Sequence, residues 1–123
     1  DLVEKHKNIE IRTGLDTAAI HALISEAQIN VLPTFQATGI KLKLLAALYM
    51  GRHCLVNSYM VKNTGLESLT RVEDTPKRLI SAVKSLFSEE FSVSNIAKRE
   101  EILHQRFCNS VNAELLYSLI FRD

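Results

Sequence analysis

Apolar residues along this chain switch between two periods, and the switches mark out its elements. Ile9 and Ile11 alternate with polar neighbours, which predicts a short strand from Asn8 to Arg12, and Thr13, Gly14 and Leu15 form its exit loop. Asp16 then caps a helix whose apolar stripe is Ile20, Leu23, Ile24 and Ala27, at spacings of three and four. That helix runs directly into a second strand, Ile29 to Thr34. A polar loop from Phe35 to Gly39 leads to a helix from about Ile40 to Met50 with Leu44, Leu45, Leu48 and Tyr49 as its buried face. Gly51 stops this helix, and Arg52 to Val56 reads as the next strand.

Beyond Asn57 the pattern weakens. Ser58 to Glu67 is irregular, and a short strand is expected near Leu69 to Val72. Thr75 and Pro76 are a strong helix start, with Leu79, Ile80, Val83, Leu86 and Phe87 in helical register behind them. Ser92 and Ser94 open a charged helix carrying Ile96, Leu103 and Phe107 on one face, and Asn112 to Phe121 forms a last helix through Leu115, Leu116, Leu119 and Ile120. Strands alternating with helices, then helices alone, predict an α/β fold: a Rossmann-like parallel sheet of about four strands, flanked by helices and finished by a helical C-terminal segment. In open parallel sheets ligands bind outside the carboxyl ends of the strands, where Phe35 to Lys43 and Asn57 to Glu67 both fall.

Composition narrows the chemistry. The chain has 46% apolar and 24% charged residues, ordinary for a globular domain of 123 residues. Fifteen basic against fourteen acidic side chains leave a net charge of +1, which removes any bulk electrostatic case for nucleic acid or an anionic membrane. Basic character must therefore be local, and Lys41 and Lys43 supply it in the first turn of a helix, its electrostatically wrong end. A solvated helix face is the plain reading of that pair; an anion, above all a phosphate, is the reading its place at a strand's carboxyl end favours. The longest apolar runs, Leu44 to Met50 and Leu115 to Ile120, are far short of a membrane span, and the start shows no signal-peptide pattern. A soluble, cytoplasmic protein is expected. Cys54 and Cys108 suit reduced thiols better than a disulfide framework. His104 and Cys108 have helical i, i+4 spacing, but zinc needs more ligands than that pair supplies, and His6, His21 and His53 repeat no ligand spacing. No metal is expected.

At these residues the chain resembles the C-terminal, nucleotide-sugar-binding half of a GT-B glycosyltransferase, in the large retaining group called group 1 or family 4. The matching features are Val31, Leu32 and Pro33 at the strand end, Gly39 opening the turn, and Lys43 four residues on. Leu44 to Leu48, Gly51 and Arg52 continue the match, with Gly65 and Leu66 in the following glycine-rich segment. It extends from about Ile9 to the C-terminus, carried by order and spacing. The resemblance implies a single partial domain over 1–123, the later part of the donor-binding domain. It implies sugar transfer from a nucleotide-sugar donor to an acceptor bound by a separate N-terminal domain. The complete protein would be cytoplasmic or peripheral at the membrane, and neither a metal nor a nucleic-acid partner is implied.

The donor and phosphate site would then comprise Thr38, Gly39, Lys41, Lys43, Gly65, Leu66 and Glu67. Members of the group carry two glutamates eight positions apart at this loop and helix, one near the donor sugar and one on the ribose. Those positions are Thr38 and Ala46 here, so catalytic residues are not identified; alanine cannot accept a hydrogen bond from a ribose hydroxyl. Glu67 is the replacement carboxylate on offer. His53 stands where the group has proline. In the strand order 3-2-1-4-5-6 the strand at Ile9 would be separated from that at Ile29 by two absent strands, so either the two pair directly or a second chain fills the gap, and open edges favour self-association. A noncatalytic α/β binding module that has lost the glutamates is the alternative. A receiver-like domain is disfavoured because Thr13, Thr34 and Asn57, not aspartates, stand at the strand ends.

Overall fold

The sheet rests on β1 (Ile29–Leu32), β2 (His53–Val56) and β3 (Arg71–Val72), parallel and in the order β1-β2-β3, with Ile29 opposite His53 and Leu55 opposite Arg71. The structure, a computed structural model, describes residues 2–36, 38, 39 and 41–121. Helices α1 (Leu2–Lys5) and α2 (Thr17–Glu26) precede β1, α3 (Leu42–Met50) crosses from β1 to β2, and α4 (Ser58–Val61) with a 3-10 turn at Glu67–Leu69 joins β2 to β3. Then come α5 (Pro76–Phe87), α6 (Val93–Phe107) and α7 (Asn109–Ile120).

All four residues of β2 are buried, the pattern of a central parallel strand covered on both faces. Cys54 and Val56 point into a cluster with Leu44, Ala47, Leu48, Met60, Leu66 and Leu103, so α3 and α6 cover that side. Leu55 points the other way, against Ala82 and Leu86 of α5. Caps fix where the helices begin. An Asp16 carboxylate oxygen accepts from the Ala19 N–H at 2.8 Å, Thr75 accepts from the Arg78 N–H ahead of Pro76, and Ser92 forms a reciprocal capping box with Asn95.

Several expectations need correction. Three strands, not four, are present among the described residues, because the stretch from Asn8 to Arg12 joins no ladder and Ile9 and Ile11 are exposed. A strand needs a partner for its N–H and C=O groups, and this segment reaches neither β1 nor another edge. α1 was not foreseen. β1 ends at Leu32, so Pro33 and Thr34 lie beyond the ladder, and Arg52 precedes β2. α3 is described from Leu42; Ile40, the expected start, and Ala37 in the loop lie outside the described residues. Tyr49, Ile80 and Phe87 are exposed, while Ala47 and Ala82 take the buried positions on their helices. Ile20 on α2 and Ile96 on α6 are also exposed, and α7 begins at Asn109 with Leu115, Leu116, Leu119 and Ile120 all more than half exposed.

One buried cation ties the C-terminal helices to this sheet. Arg99 of α6 is only 7% exposed, and its guanidinium donates to the Gly51 carbonyl at 2.7 Å and the Arg52 carbonyl at 2.6 Å. It lies 4.4 Å from the centre of the Phe91 ring, which meets the His53 ring nearly at a right angle with 5.2 Å between centres. His53 Nε2–H donates to the Glu89 carbonyl at 2.9 Å. Burial lowers the Arg99 pKa, yet an arginine stays charged at any ordinary pH. Gly51 has no room for a side chain: a Cβ built there would come within 2.7 Å of the Ala47 carbonyl oxygen and 2.5 Å of Asn30 Nδ2. Close approach, not left-handed backbone, is what requires glycine at this turn. Arg99→Met should cost about 2–4 kcal/mol, because it leaves two carbonyls without their donor, as measured by urea unfolding; an unchanged midpoint would refute the clamp.

Candidate functional site

The carboxyl ends of β1 and β2 are tied together by one side chain. Asn57, the first residue after β2, donates from Nδ2 to the Thr34 carbonyl at 2.7 Å and accepts at Oδ1 from the Thr34 N–H at 3.0 Å. This pair of bonds continues the pairing of β1 and β2 one step past the ladder, and fixes where the loop after Thr34 departs. Asn57 is therefore structural. Asp74, after β3, braces the same end by accepting from the Ser58 N–H at 2.8 Å, a bond that holds its carboxyl below the usual carboxylate range.

Beside these ends lies a cleft of about 480 Å³ between the mouth of α3, the loop after α4 and the last turn of α6. Leu44, Leu45, Leu66 and Phe107 form its apolar walls. Lys41, Lys62 and Arg106 bring three cations to it, and no carboxylate lines it among the described residues. Lys41 occupies the cap position of α3 without capping it through its side chain, and its ammonium donates to the Thr38 carbonyl. Lys62 and Arg106 make no side-chain hydrogen bond or ion pair among the described residues, and Arg106 lies over Gly65: a Cβ there would stand 2.6 Å from the guanidinium carbon. Gly65 has φ +69°, so glycine is required at this position by conformation as well.

The loop that carries Lys62 is set by its own polar groups. Asn63 has φ +61°, a left-handed conformation that asparagine tolerates better than most side chains. The Thr64 hydroxyl donates to the Val61 carbonyl at 2.7 Å and accepts from the Leu66 N–H at 3.1 Å. These bonds aim Lys62 and Asn63 outward while Leu66 is buried as a wall.

Of the residues singled out from the sequence, Gly39, Lys41 and Leu66 line the cleft, and Gly65 supports it from behind Arg106. Gly39 adopts φ +73°. Lys43 is exposed on the second residue of α3 and is not in the lining; Thr38 is exposed, Ala46 is half-buried on α3, and Glu67 is exposed on the 3-10 turn outside the cleft. Phe35, at the start of the loop after Thr34, is 94% exposed. Lys62 and Arg106 were missed. Lys62 sits in an irregular stretch, and Arg106 belongs to a helix whose charges read as solvated, so neither carried a local signal.

A larger, mainly apolar groove of about 980 Å³ runs between α3 and α6 past Tyr49, Met50 and Leu103, away from the carboxyl ends of the strands, and its charges are of both signs, Arg52 and Arg99 against Glu100 and Glu101. His104 and Cys108 lie along it, but no group of three His, Cys, Asp or Glu side chains able to hold a metal occurs among the described residues. No helix among these residues is long and apolar enough to cross a membrane. No family model matches the chain, and no curated protein or solved structure matches it.

Two measurements check this geometry. Asn57→Ala should lower stability by about 1–3 kcal/mol, since both Thr34 backbone groups lose their partner; an unchanged unfolding midpoint would remove the strut. The thiols should separate by reactivity. Burial pushes the Cys54 thiol up to about 11, whereas a hydrogen bond with Ser110 and nearby backbone N–H groups hold Cys108 below its ordinary value. At about pH 8 an alkylating reagent should modify Cys108 and spare Cys54 until the chain unfolds. Because the unfolded Cys54 thiol ionises first, its contribution to stability is present below the ordinary thiol pKa and is lost as pH rises toward about 11.

Proposed function

We propose that this chain is the later part of the donor-binding domain of a GT-B glycosyltransferase, and that its cationic cleft receives the diphosphate of a nucleotide-sugar donor. One observation carries this reading: the loop and helix after β1 meet the loop after β2 at the carboxyl ends of parallel strands, with Gly39 and Lys41 on one side and Lys62 on the other. Parallel sheets bind ligands at that end, and an array of cations with free backbone N–H groups suits phosphate. The complete protein would transfer a sugar to an acceptor held by a separate N-terminal domain, with no metal in the donor site. The outer edge of β1, unpaired among the described residues, and the apolar residues of α7 would be covered by the rest of that protein or by a second chain.

A noncatalytic binding module of the same architecture is the second reading. It is favoured by Thr38 and Ala46 standing where the family has glutamates, and by the lack of any carboxylate in the cleft lining among the described residues. Glycosyl transfer by the full-length protein from a nucleotide sugar, set against binding without turnover, separates the two. In either case Lys41→Ala should weaken a nucleoside diphosphate, as read by calorimetric titration, because Lys41 lines the cleft and acts on phosphate as a point charge. An unchanged affinity for the nucleoside diphosphate would refute its phosphate role. The 123-residue chain alone should show no sugar transfer, and robust turnover would overturn the assignment to a partial donor domain.

A further inference from the structure

We infer that the cleft is selective for the diphosphate group itself and nearly indifferent to the nucleoside attached, with Lys62 and Arg106 as anion-binding residues beside Lys41. This rests on the donor-cleft reading and sharpens it, because it assigns the binding energy to one part of the ligand. Three cations reach the cleft from three separate elements: the mouth of α3, the loop after α4 and the last turn of α6. Two of them, Lys62 and Arg106, have no anionic or hydrogen-bonding partner for their side chains among the described residues. Three like charges converging without a counter-charge repel one another, so the arrangement is relieved by an anion carrying more than one negative charge. A diphosphate meets that need with several oxygens, and the planar guanidinium can grip two of them at once.

Arg106 reaches this position because Gly65 has no side chain. Its guanidinium occupies the space a Cβ would fill, and the left-handed backbone at Gly65 bars other residues from the turn. The opposite end of a nucleotide finds much less. Recognition of ribose requires acceptors for its hydroxyls, and the two positions that would supply carboxylates hold Thr38 and Ala46. Glu67, the replacement on offer, lies outside the lining. Thr64 has its hydroxyl committed within its own loop, to Val61 and Leu66. Asn63 is the neutral polar side chain of the lining left to meet a hydroxyl, and the other walls, Leu44, Leu45, Leu66 and Phe107, are apolar and contact any base without distinguishing it.

The test is a calorimetric titration of the full-length protein with inorganic pyrophosphate, the diphosphates of uridine, guanosine and adenosine, and uridine alone. Pyrophosphate and the three nucleotides should bind within about threefold of one another, uridine should not bind measurably, and affinity should fall steeply with added salt. Lys62→Ala and Arg106→Ala should each weaken pyrophosphate by about tenfold or more, with circular dichroism and thermal melting confirming an intact fold. Both side chains are exposed, so the substitutions spare the core. If one nucleotide binds more than about tenfold tighter than pyrophosphate, or uridine binds by itself, the inference fails while the donor-cleft reading stands. Unchanged pyrophosphate affinity in a folded Arg106→Ala protein also overturns it. If no diphosphate binds at all, both readings fall. Should either variant unfold, the comparison of pyrophosphate with nucleotides and uridine in the unaltered protein decides the matter alone.

Discussion

The seat of Arg99 is the constraint on which the rest of this structure depends. A buried guanidinium without an ion-pair partner among the described residues is stable only if its donors are met, and here the carbonyls of Gly51 and Arg52 and the face of Phe91 meet them. Those carbonyls belong to the tight turn between α3 and β2, so the clamp joins a C-terminal helix to the central βαβ unit. Once Arg99 is held, the direction of α6 is set and Leu103 drops into the core beside Leu48 and Cys54. Arg106 and Phe107, two turns further on, then arrive at the carboxyl ends of the strands. A cationic cleft wall at one end of the sheet is thus positioned by a buried cation at the other.

The cleft also depends on residues that build its frame. Asn57 holds the ends of β1 and β2 together through both backbone groups of Thr34, and Thr64 and Asn63 shape the loop that presents Lys62. Polar residues near a ligand site invite assignment as ligand contacts, but Asn57 and Thr64 have their hydrogen-bonding capacity taken up by backbone. What is left to meet a ligand is mostly charge. That division, with neutral polar groups building the frame and cations facing the opening, favours a phosphate-rich ligand over a neutral sugar as the main source of affinity. It also leaves the sugar transfer proposed above without a carboxylate in the cleft lining among the described residues.

Local sequence signals were reliable wherever a local interaction decides. Asp16, Thr75 with Pro76, and Ser92 stop the chain from extending their helices backward because their side chains satisfy N–H groups within one turn, and all three caps stand where their residue types place them. The strand expected at Arg52 to Val56 stands as β2 from His53, because Cys54, Leu55 and Val56 have no polar face to offer solvent. The strand expected at Asn8 to Arg12 failed because alternation says only that a segment could pair, and pairing requires a neighbour. Tyr49, Ile80 and Phe87 were placed in apolar stripes by spacing, yet the small residues Ala47 and Ala82 lie against the sheet and the large ones fall at the margins.

The sequence by itself determined the run of α2, β1, α3 and β2, the three C-terminal helices, the glycine turns, and a concentration of positive charge at the mouth of α3. Each of these follows from interactions within a few residues. Only the tertiary structure decided which charges share a cleft: Lys41, Lys62 and Arg106 are remote in sequence, and their meeting follows from parallel strand pairing and from Arg99 seating α6 against the α3–β2 turn. It also decided that Glu67 stands outside that cleft and that Asn57 is a strut. Long-range packing fixes such relations because a side chain's role is set by what surrounds it, and those surroundings come from distant parts of the chain.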